Sequence, residues 1–129
     1  MGARLWSLRV AICFAAVLIA GCGGISTAIA GTRGSNTDST ARGKATIEIY
    51  QCGKCHTIPG IPGANGVVGP PLESVADRTY IGGNFPNNPE TLTHWIMAPQ
   101  TMKPKTAMPS LGLSESQSRD VVAYLETLK

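Results

Sequence analysis

The sequence predicts an all-α domain of three main helices joined by long, irregular loops. Three observations carry that prediction. Apolar residues recur at helical spacing in three segments, at about 43–51, 88–97 and 114–128. Glycines and prolines crowd the stretches between them, at 57–71, 80–87 and 100–112. No clear run alternates apolar and polar residues in the way a half-buried strand does.

In the first helix Ile47 and Tyr50 stand at i and i+3 on the inward face, and the helix runs directly into Cys52. The following loop is punctuated by Pro59-Gly60, Pro62-Gly63, Asn65-Gly66 and Gly69-Pro70-Pro71. One short helical turn is expected at 72–76, then a second loop around Gly82-Gly83. The second helix opens with Asn88 as N-cap, Pro89 at its first position and Glu90 in its first turn. Leu92, Trp95 and Ile96 form its apolar face, and Pro99 ends it. A loop carrying Pro104 and Pro109 leads to Ser114-Glu115-Ser116-Gln117, a capping box. The last helix turns Val121, Val122, Leu125 and Leu128 inward.

Residues 1–21 read as an export signal, with Arg4 and Arg9 before an uncharged apolar stretch at 10–20. Its end, Ile19-Ala20-Gly21-Cys22, resembles the lipobox of bacterial lipoproteins, in which the cysteine is acylated and anchors the protein to a membrane. Two other readings stay open. Ala28-Ile29-Ala30 suits cleavage before Gly31, and the charge-free run is long enough for an uncleaved anchor, although Gly21, Gly23 and Gly24 interrupt it. All three place the domain outside the cytoplasm, in a periplasmic or extracytoplasmic space. Residues 22–41 are expected to form a flexible tether, because 31–41 are mostly glycine, threonine, serine, asparagine and charge with no apolar period. The folded domain is then 42–129, near the lower size limit for an unaided core.

Eleven Lys and Arg face eight Asp and Glu, and without Arg4 and Arg9 the balance is nine against eight. A chain so near neutral gives no reason to expect nucleic-acid binding.

The chemistry lies in Cys52-Gly53-Lys54-Cys55-His56. A C-x-x-C-H run is the attachment signature of a c-type haem. The spacing lets both sulfurs reach the vinyl groups on one porphyrin edge, while the adjacent imidazole meets the iron from one face. A dithiol redox site needs a βαβ context that these flanks lack. A structural zinc site needs four ligands, and beyond this run the chain offers only the isolated His94, with Cys13 and Cys22 far upstream. One motif implies one haem. The small core then gains apolar bulk from the cofactor, so the apo-chain is expected to fold poorly.

For a second axial ligand the chain offers Met97, Met102, Met108 and His94. Met97 and His94 fall off the apolar face of their helix, whereas Met102 and Met108 lie in the proline-rich loop. Met108 is followed by Pro109, whose fixed φ stiffens the loop as a weak thioether–iron bond requires. Packing is the plain alternative for any one methionine.

Together these residues resemble the monohaem, His/Met-ligated cytochromes c of the mitochondrial-like kind, over about 42–129. The resemblance rests on the helix before C-x-x-C-H, Gly69-Pro70-Pro71-Leu72, the run from Lys103-Pro104 to Met108-Pro109, and Ala123-Tyr124-Leu125. Lys105 stands where the family commonly has glycine. The resemblance implies a small cytochrome c fold wrapped around one covalently attached haem c. Cys52 and Cys55 would hold the porphyrin, and His56 and Met108 the iron. Pro70 would present its carbonyl to His56 Nδ1–H. Arg78 would pair with a propionate, or else be a surface cation, and Thr106 would hydrogen-bond near a propionate. Trp95 would face the haem, with core packing as its plainer role. Gly43 would sit close against the last helix near Tyr124.

The function implied is one-electron transfer between a respiratory complex or dehydrogenase and a terminal oxidase, by a monomeric carrier that is not an enzyme. Its partners would be redox proteins, with membrane contact through a lipid at Cys22. The alternatives are a subunit tightly bound to a dehydrogenase or oxidase complex, or a haem sensor or enzyme with a dissociable Met108. Lys54, Lys103 and Lys105 flank the expected haem edge and would either steer an acidic partner or be ordinary solvated lysines.

Overall fold

A computed structural model describes residues 35–129. The expectations for residues 1–34, including the export signal, Cys13 and Cys22, lie outside the described residues. Among those described, no helix is long and apolar enough to cross a membrane.

Among the described residues the domain is mostly helical, with four α-helices and one two-stranded antiparallel sheet. In order these are α1 (Asn36–Ile49), β1 (Tyr80–Ile81), β2 (Phe85–Pro86), α2 (Pro89–Met97), α3 (Pro99–Met102) and α4 (Glu115–Leu125). Short 3₁₀ turns cover Cys52–Lys54 and Val75–Asp77.

The helix starts follow local chemistry. The Asn88 side chain accepts from Thr91 N at 2.9 Å and caps α2 behind Pro89. Ser114 and Gln117 satisfy each other's backbone amides at 3.2 and 2.9 Å, which completes the capping box of α4. Three features depart from the predicted three-helix, strand-free layout. Helix α1 begins at Asn36 rather than Gly43, so that 36–41, read as tether, are helical. Polar contacts hold this first stretch: the Thr40 hydroxyl donates to Asn36 O and to Ala123 O of α4. Polar contacts of this kind leave no apolar period to read. The loop predicted at 80–87 is a tight hairpin, with Ile81 opposite Phe85 across Gly82-Gly83. Pro99 does not simply end α2 but opens α3, where its missing N–H costs nothing at a first helical position.

Helices α1 and α4 cross at Gly43. A Cβ there would fall on the Asp120 carbonyl oxygen and stand 3.1 Å from Tyr124 Cβ. Around this crossing Ile47, Val121, Val122, Tyr124 and Leu125 join Leu92 and Ile96 of α2 in one core. The Tyr124 hydroxyl donates to Pro59 O at 2.7 Å, tying α4 to the long loop.

Arg42 closes the same interface with a two-pronged ion pair. Nε reaches Asp120 Oδ2 at 2.7 Å and Nη2 reaches Oδ1 at 2.9 Å. The guanidinium hydrogen bonds hold the Asp120 carboxyl below its ordinary range. A carboxyl lowered in the folded state contributes stability above its unfolded pKa of about 3.9, and loses it as pH falls through the folded value. In urea unfolding, Arg42→Gln is therefore expected to be less stable than wild type near neutral pH, with the gap closing in strong acid. A gap that persists unchanged in strong acid would assign the loss to packing of the arginine stem instead.

Candidate functional site

The C-x-x-C-H run sits where α1 hands over to loop. Gln51 adopts a left-handed conformation, φ 56°, that turns the chain off the helix axis into the 3₁₀ turn at Cys52–Lys54. The amides of Cys55 and His56 both donate to Cys52 O, at 3.1 and 3.0 Å. Both thiols are half-buried and unpaired. Burial pushes the Cys52 thiol up, and the neighbouring Cys55 adds to this. The run lies between helix α1 and a loop, without the βαβ context a dithiol redox site needs. Among the described residues no three His, Cys, Asp or Glu side chains gather as a structural zinc site demands.

The glycine- and proline-rich loop folds back over this turn. Gly66 N donates to Gly53 O at 3.0 Å, Gly69 N to Cys55 O at 2.8 Å, and Leu72 N to Thr57 O at 2.8 Å. The closure brings Pro70 O to 2.7 Å from His56 Nδ1. A carbonyl only accepts, so Nδ1 carries the proton and Nε2 keeps its lone pair. The ring leaves no room beside it: a Cβ at Gly69 would stand 2.7 Å from Nδ1. Arg78 braces the same loop, its Nη2 donating to Pro71 O and, at 2.9 Å, to Glu73 O. Its other guanidinium nitrogens make no hydrogen bond among the described residues.

Of the axial candidates, Met108 is half-buried and packs against the core. Its amide donates to Thr106 Oγ1 at 3.3 Å, the contact in which Thr106 is seen. His94 is exposed, with Nε2 3.4 Å from the Thr101 hydroxyl, and Met102 lies within α3. Trp95 packs on Phe85 of the hairpin with ring centroids 5.9 Å apart, a core contact. Lys103, grouped with the exposed lysines by sequence, places Nζ 3.1 Å from Gly82 O and so joins the Met108 loop to the hairpin turn. Lys54 and Lys105 are exposed and take part in no ion pair among the described residues.

Two residues escaped sequence reading. Gln100 donates from Nε2 to Met108 O at 2.7 Å and accepts from the Ser110 hydroxyl at 2.6 Å. Asn87 Nδ2 bridges Val75 O and Arg78 O, both at 2.8 Å. Each is a lone amide in a loop, and nothing in spacing or periodicity distinguishes it. A cavity of about 60 Å³ between Val75, Leu92 and Leu125 includes no residue of the motif.

The donor set fits one class of cofactor. Two adjacent unpaired thiols stand beside an imidazole whose Nδ1 proton is already placed, leaving Nε2 as a metal donor. In a mostly helical fold, this donor set suits a c-type haem. A family model described as Cytochrome c matches residues 40–129, and the chain belongs to the cytochrome c family. That membership implies a haem c cofactor. The chain is also 34% identical over 89 residues to the cytochrome c oxidase subunit 2 of Alkalihalophilus pseudofirmus, a match covering 68% of this chain and 25% of the relative. The chain thus spans about a quarter of that relative's length. No solved structure matches significantly. Family and relative together support a haem electron-transfer role.

Proposed function

We propose that the protein is a one-electron carrier with a single haem c attached through Cys52 and Cys55, with His56 and Met108 as axial ligands. The observation that carries this reading is the hydrogen bond from His56 Nδ1 to Pro70 O, which turns a generic imidazole into an oriented Nε2 donor next to two unpaired thiols. When bound, haem supplies an iron that gains and loses one electron without a substrate on the metal. Cys52 and Cys55 fix the porphyrin edge, and Pro70 holds the tautomer and plane of His56. Met108, set in a loop that its neighbours hold, would supply the second iron ligand. With both iron ligands supplied by the protein, the haem would leave no site for substrate and would act as a carrier, and thioether ligation would favour the reduced state.

The reading extends to place and partners. Residues 1–21 and Cys22 support a site outside the cytoplasmic membrane, with a lipid at Cys22 as the anchor. The donor is a respiratory complex or dehydrogenase, and the acceptor a terminal oxidase. A second reading is favoured by one specific observation. The relative is by name a subunit of cytochrome c oxidase, so this chain is alternatively a domain bound within such a complex. Purification separates the two, since a free carrier leaves the membrane alone once its lipid is cleaved and a subunit leaves with its complex.

The ligation is tested by the weak absorption at the red end of the ferric spectrum that a sulfur–iron bond produces. Met108→Ala should abolish it and Met102→Ala should leave it. The reverse pattern would move the ligand to α3.

A further inference from the structure

We propose that Gln100 is a positioning residue for Met108, acting through one carboxamide that clamps the loop on both sides of Pro109. The proposal rests on the His/Met reading above, and its observations lie in this chain alone. Met108 lies outside every described helix and strand, so its carbonyl has no ladder partner and needs a donor from elsewhere. Gln100 Nε2 is that donor, at 2.7 Å. The Oε1 of the same amide accepts from Ser110 Oγ at 2.6 Å. One side chain thus holds the residues before and after Pro109. The Met108 amide is held in turn by Thr106 Oγ1 at 3.3 Å. With backbone N and O both fixed, only the side-chain torsions of Met108 remain free.

The clamp stands on a rigid base. Helix α3 is a single turn, but its first residue, Pro99, is among the most deeply buried side chains of the domain. The turn closes through Lys103 N to Pro99 O at 2.9 Å and Thr101 Oγ1 to Ala98 O at 2.7 Å. Lys103 then anchors the exit of α3 to the hairpin at Gly82 O. Gln100 therefore projects from a fixed point, and its half-buried amide spends its reach on the loop that bears Met108. A thioether binds iron weakly and has three rotatable bonds, so a loop ordered in advance raises the fraction of time the sulfur is in place.

The test uses the ferric holoprotein with imidazole as a competitor for the position that Met108 occupies. Gln100→Leu, which keeps the volume and removes both hydrogen bonds, is expected to lower the half-saturating imidazole concentration roughly tenfold, the size that two ordinary net hydrogen bonds supply. Gln100→Glu keeps the shape and the acceptor for Ser110 but sets a carboxylate oxygen against Met108 O in place of the donor, and should shift imidazole binding in the same direction as Gln100→Leu. In a Met108→Ala background, where no sulfur competes, Gln100→Leu should change imidazole binding little. An equal shift in both backgrounds would overturn the clamp, because Gln100 would then act on the haem pocket and not through Met108. A lower melting temperature with unaltered imidazole binding would also overturn it, leaving Gln100 as a purely structural residue. Should Met108→Ala alone leave imidazole binding as in wild type, the His/Met reading itself fails, a result distinct from either of these.

Discussion

Gly43→Val is expected to leave little folded protein at physiological temperature. Two effects oppose each other at this position. In an isolated helix a residue with a Cβ outperforms glycine, by about 1 kcal/mol for alanine and less for valine. Against that stands the crossing of α1 and α4, where even the first added carbon would fall on the Asp120 carbonyl oxygen and near Tyr124 Cβ. The obstacle is helix backbone rather than the tip of a side chain, so it is relieved only when the two helices separate. Separation loosens Ile47, Val121 and Val122, each about 97–99% buried, and lengthens the Arg42–Asp120 ion pair. Overpacking of a core costs about 1–3 kcal/mol and a backbone collision lies at or above the top of that range. For a domain near the minimum size that is a large part of its total stability. Ala45→Gly, at an exposed site on α1, supplies the control and should cost only about 1 kcal/mol. Denaturant unfolding of the haem-loaded protein checks the pair. Equal losses at the two positions would mean that propensity, not the close approach, decides.

Gly69→Val is expected to strike the haem site while leaving the helical core in place. Gly69 does not have a positive φ, so its backbone suits other residues and the constraint is space alone. The added carbons would meet the His56 ring, whose Nδ1 lies 2.7 Å from the position of the first. The ring cannot swing away freely, since Nδ1 is bonded to Pro70 O on the next residue. Tilting the imidazole therefore breaks the bond that orients it. Losing such an outer partner of a metal ligand costs about ten- to a hundredfold in affinity or activity. The measurement is the haem content of purified protein together with its reduction potential. Haem content and potential both equal to wild type would show that the loop absorbs the side chain and that the His56–Pro70 bond does not depend on a bare backbone at 69.

What the sequence made legible follows from how far each signal reaches. Asn88-Pro89 and Ser114–Gln117 are local chemistry, settled within one helical turn, and the caps stand where that chemistry puts them. Val121, Val122 and Leu125 form a stripe with a clear period and are buried. Helix α1 was half-read because its first turns carry no apolar stripe and are held by Thr40 and Arg42 against α4, partners more than seventy residues away. The hairpin at Tyr80–Pro86 has strands of two residues, too short for alternation to show. In the site, the haem motif and the two loop segments were visible as strings of residue types. Gln100 and Asn87 were not, because a single amide acquires meaning only when folding places a bare carbonyl opposite it.

The crossing at Gly43 also sets an order of events during synthesis. Within the domain helix α1 is made before its partner α4, and on the exported, haem-dependent reading it waits longer still, until the cofactor is attached. A strongly apolar helix left waiting would invite association with other nascent chains. This one waits safely, because the surface it will bury is largely glycine, threonine and a single isoleucine. The close fit that makes the finished pair intolerant of a methyl group is thus the same property that keeps the unfinished chain from sticking to its neighbours.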